Sequence, residues 1–157
     1  MRNRLKGVTL IETILYIGLF SVIIIIVLNF MLSTQEATQR TDIRSSLNRT
    51  SGFVSQHINY SFNKAISIDQ NTSIFDNSQG LLALEFTEGN KQYTLSDSRI
   101  HFDGVPITPS STSVTSFTLH PIYKGTDTIV GVKIDMDILS KKNPSITDTI
   151  NLLLTLR

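Results

Sequence analysis

The sequence contains no cysteine, and only 17% of its residues are charged. Without cysteine the chain has no disulfide, no thiolate metal site and no cysteine nucleophile, and cysteine usage gives no indication of its redox compartment. The formal net charge of +1 is too small to favour nucleic acid as the main partner. At 157 residues, the chain has room for one domain and an anchor segment.

Motifs of enzyme active sites are also missing from the sequence, which has no phosphate loop, dinucleotide fingerprint or zinc signature. The histidines are His57, His101 and His120, and none has a second metal ligand at helical i+4 spacing or a histidine partner in an H-x-H pattern. Asp135 and Asp137 share one face of a predicted strand, but a calcium loop also needs a glycine turn and a further carboxylate. A solvated strand face is the better interpretation of this pair. We therefore predict no enzymatic activity, no cofactor and no bound metal.

Charge and hydrophobicity are concentrated at the front of the chain. Arg2, Arg4 and Lys6 place three positive charges in the first seven residues, and removing them from the 14 basic residues leaves 11 against 13 acidic ones. Residues 8–32 then read VTLIETILYIGLFSVIIIIVLNFML. As a helix this segment is roughly 37 Å long, which is enough to cross a bilayer core. The pattern predicts a single-pass membrane protein with its N-terminus in the cytoplasm.

Two features of this apolar segment require a choice between interpretations. A secretory signal peptide also starts with basic residues, but its apolar core is about 7–15 residues long and ends at a small-x-small site. The longer core and the sequence of residues 33–37 disfavour that interpretation. Glu12 is the second feature, because a carboxylate costs about 2.5–3.5 kcal/mol at the centre of a membrane helix. Glu12 either lies close enough to the interface to reach lipid headgroups or has a functional partner.

The residues RNRLKG followed by VTLIE resemble the processing site of type IV prepilins and type II secretion pseudopilins. Gly7, Val8 and Glu12 stand at that family's spacing, in which a membrane-embedded prepilin peptidase cuts after the glycine and methylates the new N-terminus. The resemblance implies cleavage between Gly7 and Val8, N-methylation of Val8, and assembly with other pilin or pseudopilin subunits at an inner-membrane platform. Two departures are Val8, where Phe or Met is commoner, and Asn29, where many major pilins have a proline.

Cleavage at this site would give Glu12 a partner. The new N-terminus at Val8 carries a positive ammonium, and membrane lipid surrounds the segment before assembly. In a bundle of parallel helices, Glu12 of one subunit would lie beside the Val8 ammonium of a neighbour, where a low dielectric strengthens their attraction. Such a pair fixes the register of the subunits more than it adds net stability.

Beyond residue 32 the sequence predicts a helix followed by strands. Apolar residues at intervals of four and seven predict an amphipathic helix over 33–66, with its apolar face formed by Ile43, Leu47, Val54, Ile58 and Phe62. Turn-forming residues predict a loop at 67–80, and the two prolines of 105–109 predict a rigid crossing segment. Period-two alternation elsewhere predicts strands around Leu82, Tyr93, Ile100, Phe117, Ile134 and Leu152.

These elements predict an α+β fold in which the long helix packs on one C-terminal antiparallel sheet, as in type IV pilins. The predicted parts are a leader at 1–7, a transmembrane assembly helix at 8–32, an amphipathic helix at 33–66 and a β-rich head at 67–157. The order of the strands resembles J-type pseudopilins and related minor pilins of filament tips. The implied function is a minor pilin or pseudopilin of a cell-surface or periplasmic filament. A permanently membrane-anchored extracytoplasmic binding protein is the alternative.

Overall fold

The computed structural model describes residues 9–125 and 128–156 of the chain. They form two compact units, of which the first ends at Thr41 and the second begins at Asp42. The secondary structure is one long helix and eight strands over the described residues. In chain order the elements are α1 (Leu10–Lys64), β1 (Ser67–Ile68), β2 (Leu81–Phe86), β3 (Gly89–Ser96), β4 (Arg99–Phe102), β5 (Val105–Pro106), β6 (Thr112–Lys124), β7 (Thr128–Ser140) and β8 (Thr147–Thr155). The α+β class predicted from the sequence is confirmed.

Helix α1 is continuous for 55 residues, because no proline interrupts it. Within the second unit it buries one face, and the apolar members of that face are Leu47, Val54, Ile58 and Phe62. Their spacing of four and seven residues places them on one side of a helix with 3.6 residues per turn. The amphipathic face predicted from the sequence is therefore confirmed, with Ile43 half-buried at its start.

Strands β1 to β5 form an antiparallel sheet in chain order. Two of its connections, Asp97–Ser98 and Asp103–Gly104, have φ angles between 51° and 81° at both residues. Positive φ at both central positions is the requirement of a type I′ turn, whose twist matches that of the flanking strands. The first of these turns fixes the register of β3 with β4, in which Tyr93 and Ile100 are buried.

Strands β6, β7 and β8 form a second antiparallel sheet with β7 in its centre. Ile134, Met136 and Ile138 of β7 are buried, whereas Lys133 before them and Asp137 between the last two are exposed. Near the start of β7 the register with β6 shifts by one residue. This β-bulge interrupts the alternation there, so that successive residues no longer point to opposite faces in turn.

One hydrophobic cluster joins both sheets to the second-unit part of α1. Tyr93 of β3 and Phe117 of β6 are its largest fully buried side chains. Side-chain hydrogen bonds also attach the helix to the strands. The Tyr93 hydroxyl donates to Ser61 Oγ at 2.8 Å, and the Ser51 hydroxyl donates to Asp148 of β8. The amphipathic face of α1 is thus covered by two sheets.

Three expectations about the β region were wrong in detail. The strands divide into two sheets, where the alternation pattern predicted one. Strand alternation identifies a buried face but contains no information on which strands share hydrogen bonds. The predicted loop at 67–80 contains β1, and the predicted crossing segment at 105–109 contains β5. Pro106 is compatible with a strand because β5 lies at the sheet edge, where a missing N–H leaves no ladder bond unmade.

Candidate functional site

The first unit exposes an unusually apolar surface. Every described residue from Thr9 to Thr41 is exposed, and this stretch includes 18 large hydrophobic side chains between Leu10 and Leu32. Between Leu10 and Leu32, the only ionisable acidic or basic side chain is Glu12. Helix α1 is long and apolar enough in this part to cross a membrane. Each Leu, Ile or Phe side chain gains about 1.5–3 kcal/mol when it leaves water completely, so this segment requires lipid or protein around it.

Glu12 lies in the first turn of α1, where its backbone and its side chain have separate partners. Thr9 immediately precedes the helix, and its Oγ1 accepts a hydrogen bond from the Glu12 N–H at 3.4 Å. Thr9 is therefore the N-cap, and the sequence T-x-x-E is that of a capping box. The Glu12 carboxylate accepts a hydrogen bond from the Tyr16 hydroxyl, also at 3.4 Å. Both bonds are longer than usual, so the bond from Tyr16 does not hold the carboxylate firmly.

This cap was not among the features predicted from the sequence. A carboxylate in the first turn also interacts favourably with the positive end of the helix dipole. Part of the reason for an acidic residue at position 12 is therefore local. The other predicted site residues, Gly7 and Val8 of the processing site and Arg2, Arg4 and Lys6 of the leader, lie outside the described residues.

The aspartates considered as a calcium pair have separate partners. Asp137 accepts hydrogen bonds from the hydroxyls of Ser116 and Thr149, each at 2.8 Å. Asp135 accepts one from the Lys133 ammonium at 2.8 Å, and its other oxygen, Oδ1, is buried with no hydrogen-bond partner. Across residues 9–125 and 128–156, no three His, Cys, Asp or Glu side chains are grouped closely enough to hold a metal ion.

His120 joins a loop to the three-stranded sheet. Its Nδ1 lies 2.6 Å from Asp76 Oδ1, and its Nε2 lies 3.5 Å from Asp135 Oδ2. Asp76 follows β1 at a positive φ of 54°, and its N–H donates to the Leu119 carbonyl at 2.8 Å. Because the Asp76 side chain is mostly exposed and that of His120 is nearly half exposed, this hydrogen-bonded contact is a surface contact of small energy. The two residues are 44 positions apart, so the spacing rules applied to the sequence did not detect the contact.

The second unit contains a half-open groove of about 390 Å³ between the end of α1 and strands β2 to β4. We call it the aromatic groove, because its main side chains are His57, Tyr60, Lys64, Phe86, Lys91 and Phe102. The rings of Phe102 and His57 meet edge to face with centroids 4.9 Å apart. The Lys64 ammonium lies 4.5 Å from the Tyr60 ring centroid, and the Lys91 ammonium lies 6.0 Å from those of Phe86 and Phe102.

Below this groove, buried polar side chains hold the rings in place. His57 Nδ1 lies 2.7 Å from the Tyr93 hydroxyl, which also donates to Ser61 Oγ. Burial lowers the pKa of His57 below its ordinary value of about 6.5, because a charged imidazolium is poorly solvated there. Burial likewise raises the pKa of the Tyr93 phenol, and the hydrogen bond to Ser61 opposes that rise. Both groups are therefore neutral at pH 7.

These features form two separate candidate sites, the apolar segment with Glu12 in the first unit and the aromatic groove in the second. The sequence predicted the first and missed the second, because the groove joins side chains from a helix and three strands. Comparison with protein-family models, curated proteins and solved structures finds no match to this chain.

Proposed function

We propose that this chain is a prepilin-type subunit that is cleaved after Gly7 and assembled through the apolar part of α1 into a pilus or pseudopilus. The observation that carries the proposal is the apolar surface of the first unit. From Leu10 to Leu32 it is exposed on all sides and carries a single carboxylate, Glu12, five residues after Gly7. Lipid alone would cover this surface equally well, so the position of Glu12 relative to Gly7 is what favours assembly.

Cleavage supplies the missing charge. Between Leu10 and Leu32 the chain has no lysine or arginine that could compensate Glu12, and cleavage removes the leader cations Arg2, Arg4 and Lys6. Cleavage after Gly7 creates an ammonium at Val8, and a neighbouring subunit that is displaced along the helix axis would place its ammonium beside Glu12. Removing both charges from water together is far less costly than removing either one alone. Filament register is then set by this pair, while the apolar side chains supply most of the association energy.

The remaining partners follow from the same proposal. A membrane-embedded prepilin peptidase cleaves and methylates the chain, and an inner-membrane assembly platform receives it. The basic residues Arg2, Arg4 and Lys6 keep the leader in the cytoplasm until cleavage. The second unit then lies outside the cytoplasmic membrane. The order of the strands in the sequence resembles J-type pseudopilins, which supports the proposal of a minor subunit at or near the filament tip.

The mature N-terminus tests the proposal. The full chain is expressed in membranes with an active prepilin peptidase and with a catalytically inactive one, and the purified protein is analysed by intact-mass and N-terminal peptide mass spectrometry. We expect a chain that begins with N-methylated Val8 when the peptidase is active and an intact leader when it is not. A Gly7→Asp variant is expected to keep its leader in both strains. A wild-type chain that keeps its leader beside the active peptidase would refute the proposal.

A second candidate function is a permanently membrane-anchored binding protein. The aromatic groove favours it, because a concave apolar surface with a few charged groups is typical of a ligand site. The same mass spectrum separates the two functions. A leader that is retained while the second unit binds a ligand supports the anchored binding protein.

A further inference from the structure

The two lysines of the aromatic groove lack acidic partners. Within residues 9–125 and 128–156, neither Lys64 nor Lys91 has a carboxylate within 4.0 Å of its ammonium. Instead, Lys64 lies over the Tyr60 ring, and Lys91 lies at an equal distance from two phenylalanine rings. Cation–π contacts of this kind attract an ammonium to a ring but do not neutralise its charge. The groove therefore presents two positive charges above an aromatic wall.

A third charged residue of the groove, Glu88, limits which ligands the groove can accommodate. Glu88 also lines the groove and is exposed in the turn between β2 and β3. With His57 neutral, the side chains that line the groove carry a net charge of +1. This balance favours a ligand with one negative charge over a ligand with two, because a second anionic group would approach Glu88.

The size and the walls of the groove favour a small molecule. Its volume of about 390 Å³ lies at the lower end of the range for small-molecule sites. An inorganic anion would occupy a small part of this space and would leave the groove-facing surface of Phe86 and Phe102 uncovered. An extended peptide would bind best along a free sheet edge, but β2, β3 and β4 are each paired on both sides. The groove thus offers rings and ammonium groups, and no unpaired strand.

We propose that the aromatic groove binds a small aromatic monocarboxylate, with its ring against Phe86 and Phe102 and its carboxylate between Lys64 and Lys91. Aromatic rings in such a groove pack edge to face or offset, which adds specificity to the burial of apolar area. The carboxylate forms charge-assisted hydrogen bonds with the ammonium groups. This site belongs to the second unit alone, and it does not depend on whether the leader is cleaved.

Ligand-observed ¹⁹F NMR on the full chain in nanodiscs tests the proposal, with 4-fluorobenzoate as the probe and 4-fluorobenzamide as its neutral counterpart. We expect 4-fluorobenzoate to broaden on adding the protein, relative to empty nanodiscs, and to bind about 5-fold more tightly than the amide. Lys64→Gln and Lys91→Gln are each expected to weaken the carboxylate about 5-fold and to leave the amide unchanged. Lys124→Gln is the control, because Lys124 is exposed on β6 and lies outside the groove.

Several results would overturn this assignment. Equal binding of acid and amide, or unchanged binding in both groove lysine variants, would show that the lysines do not recognise a carboxylate. Tighter binding of an acetylated Asp-Phe dipeptide amide than of 4-fluorobenzoate would identify a protein segment as the occupant. Loss of the protein-induced broadening in discs that hold two copies would identify a second copy as the occupant. Thermal melting of every variant confirms that each signal comes from folded protein.

Discussion

Replacing Glu12 with glutamine separates its charge from its other properties. Glutamine has nearly the same length, accepts a hydrogen bond from Tyr16, and is as suitable as glutamate at the third position of a capping box. In the isolated subunit the bond from Tyr16 is 3.4 Å long, so its loss costs less than the 0.5–1.5 kcal/mol of a typical hydrogen bond, by rough estimate. We therefore expect the Glu12→Gln chain to insert into the membrane and to be cleaved as the wild type is.

Filament incorporation is expected to respond much more strongly. In the assembled state, a neutral residue 12 leaves the neighbour's Val8 ammonium unpaired in an apolar environment. Breaking a buried ion pair in this way costs about 3–5 kcal/mol, which is roughly two to three orders of magnitude in an equilibrium constant. Glu12→Leu and Glu12→Ala are expected to show the same loss with insertion intact. Thr9→Ala removes the cap alone, and it costs about 1 kcal/mol.

The assay compares two fractions of the same cells, the membrane fraction and the filaments removed by shearing, with quantitative mass spectrometry of a peptide from β7. The uncleaved Gly7→Asp chain has no ammonium at Val8. Combining it with Glu12→Gln should therefore cause no further loss beyond that of the single variants, because the two changes remove the same pair. Normal incorporation of Glu12→Gln, together with a defect in Thr9→Ala, would refute the charge pair and leave capping as the role of this turn.

Three further predictions concern the second unit. Because burial lowers the pKa of His57 in the folded state, the unfolded chain binds more protons, and stability should fall as the pH drops below about 6.5. Differential scanning fluorimetry should show a smaller drop in melting temperature between pH 7 and pH 5 for His57→Gln than for the wild type. Ile58→Ala should cost about 2–5 kcal/mol in denaturant unfolding, whereas the half-exposed control Phe53→Ala should change stability by less than about 0.5 kcal/mol. Gly131→Ala would place its Cβ 2.3 Å from the Leu154 carbonyl oxygen, so it should lower the free energy of unfolding by about 1–3 kcal/mol. Gly52→Ala has open space around it and should raise the free energy of unfolding by about 0.5–1 kcal/mol in the same denaturant measurement. Equal effects of the two variants would contradict the packing of β7 against β8.

The parts of the fold that were predictable from the sequence depend on local periodicity. Leu47, Val54 and Ile58 recur at helical spacing, and the same periodicity puts them on the buried face of α1. Ile134 and Met136 recur at spacing two, and they are buried in β7. In both cases the buried residues are close together in the sequence, on successive turns of the helix or on alternate residues of the strand. Their spacing alone therefore predicts which face is buried.

The parts that were not predictable depend on contacts between distant residues. The division into two sheets is set by hydrogen-bond pairing, and the contact of His120 with Asp76 is set by a loop that returns to β6. The aromatic groove is similar, because Lys64 ends a helix while Lys91 lies in a strand. No spacing rule relates such residues, and only the packed structure brings them together.

The capping box at Thr9 was readable from the sequence, and it bears directly on how Glu12 is interpreted. The Thr9 hydroxyl caps the helix by accepting a hydrogen bond from the backbone N–H of residue 12. This bond does not involve the Glu12 side chain, so it would form with many other residues at position 12. Among the described residues, no hydrogen bond returns from the Thr9 N–H to the Glu12 carboxylate, so the reciprocal half of the box is open. The cap thus explains why the helix begins at Leu10, but it does not require a negative charge. The positive end of the helix dipole favours the Glu12 carboxylate but does not neutralise it. In a segment that must leave water, this charge therefore needs a cation from elsewhere, and a Val8 ammonium of an adjacent subunit is the cation that cleavage would supply.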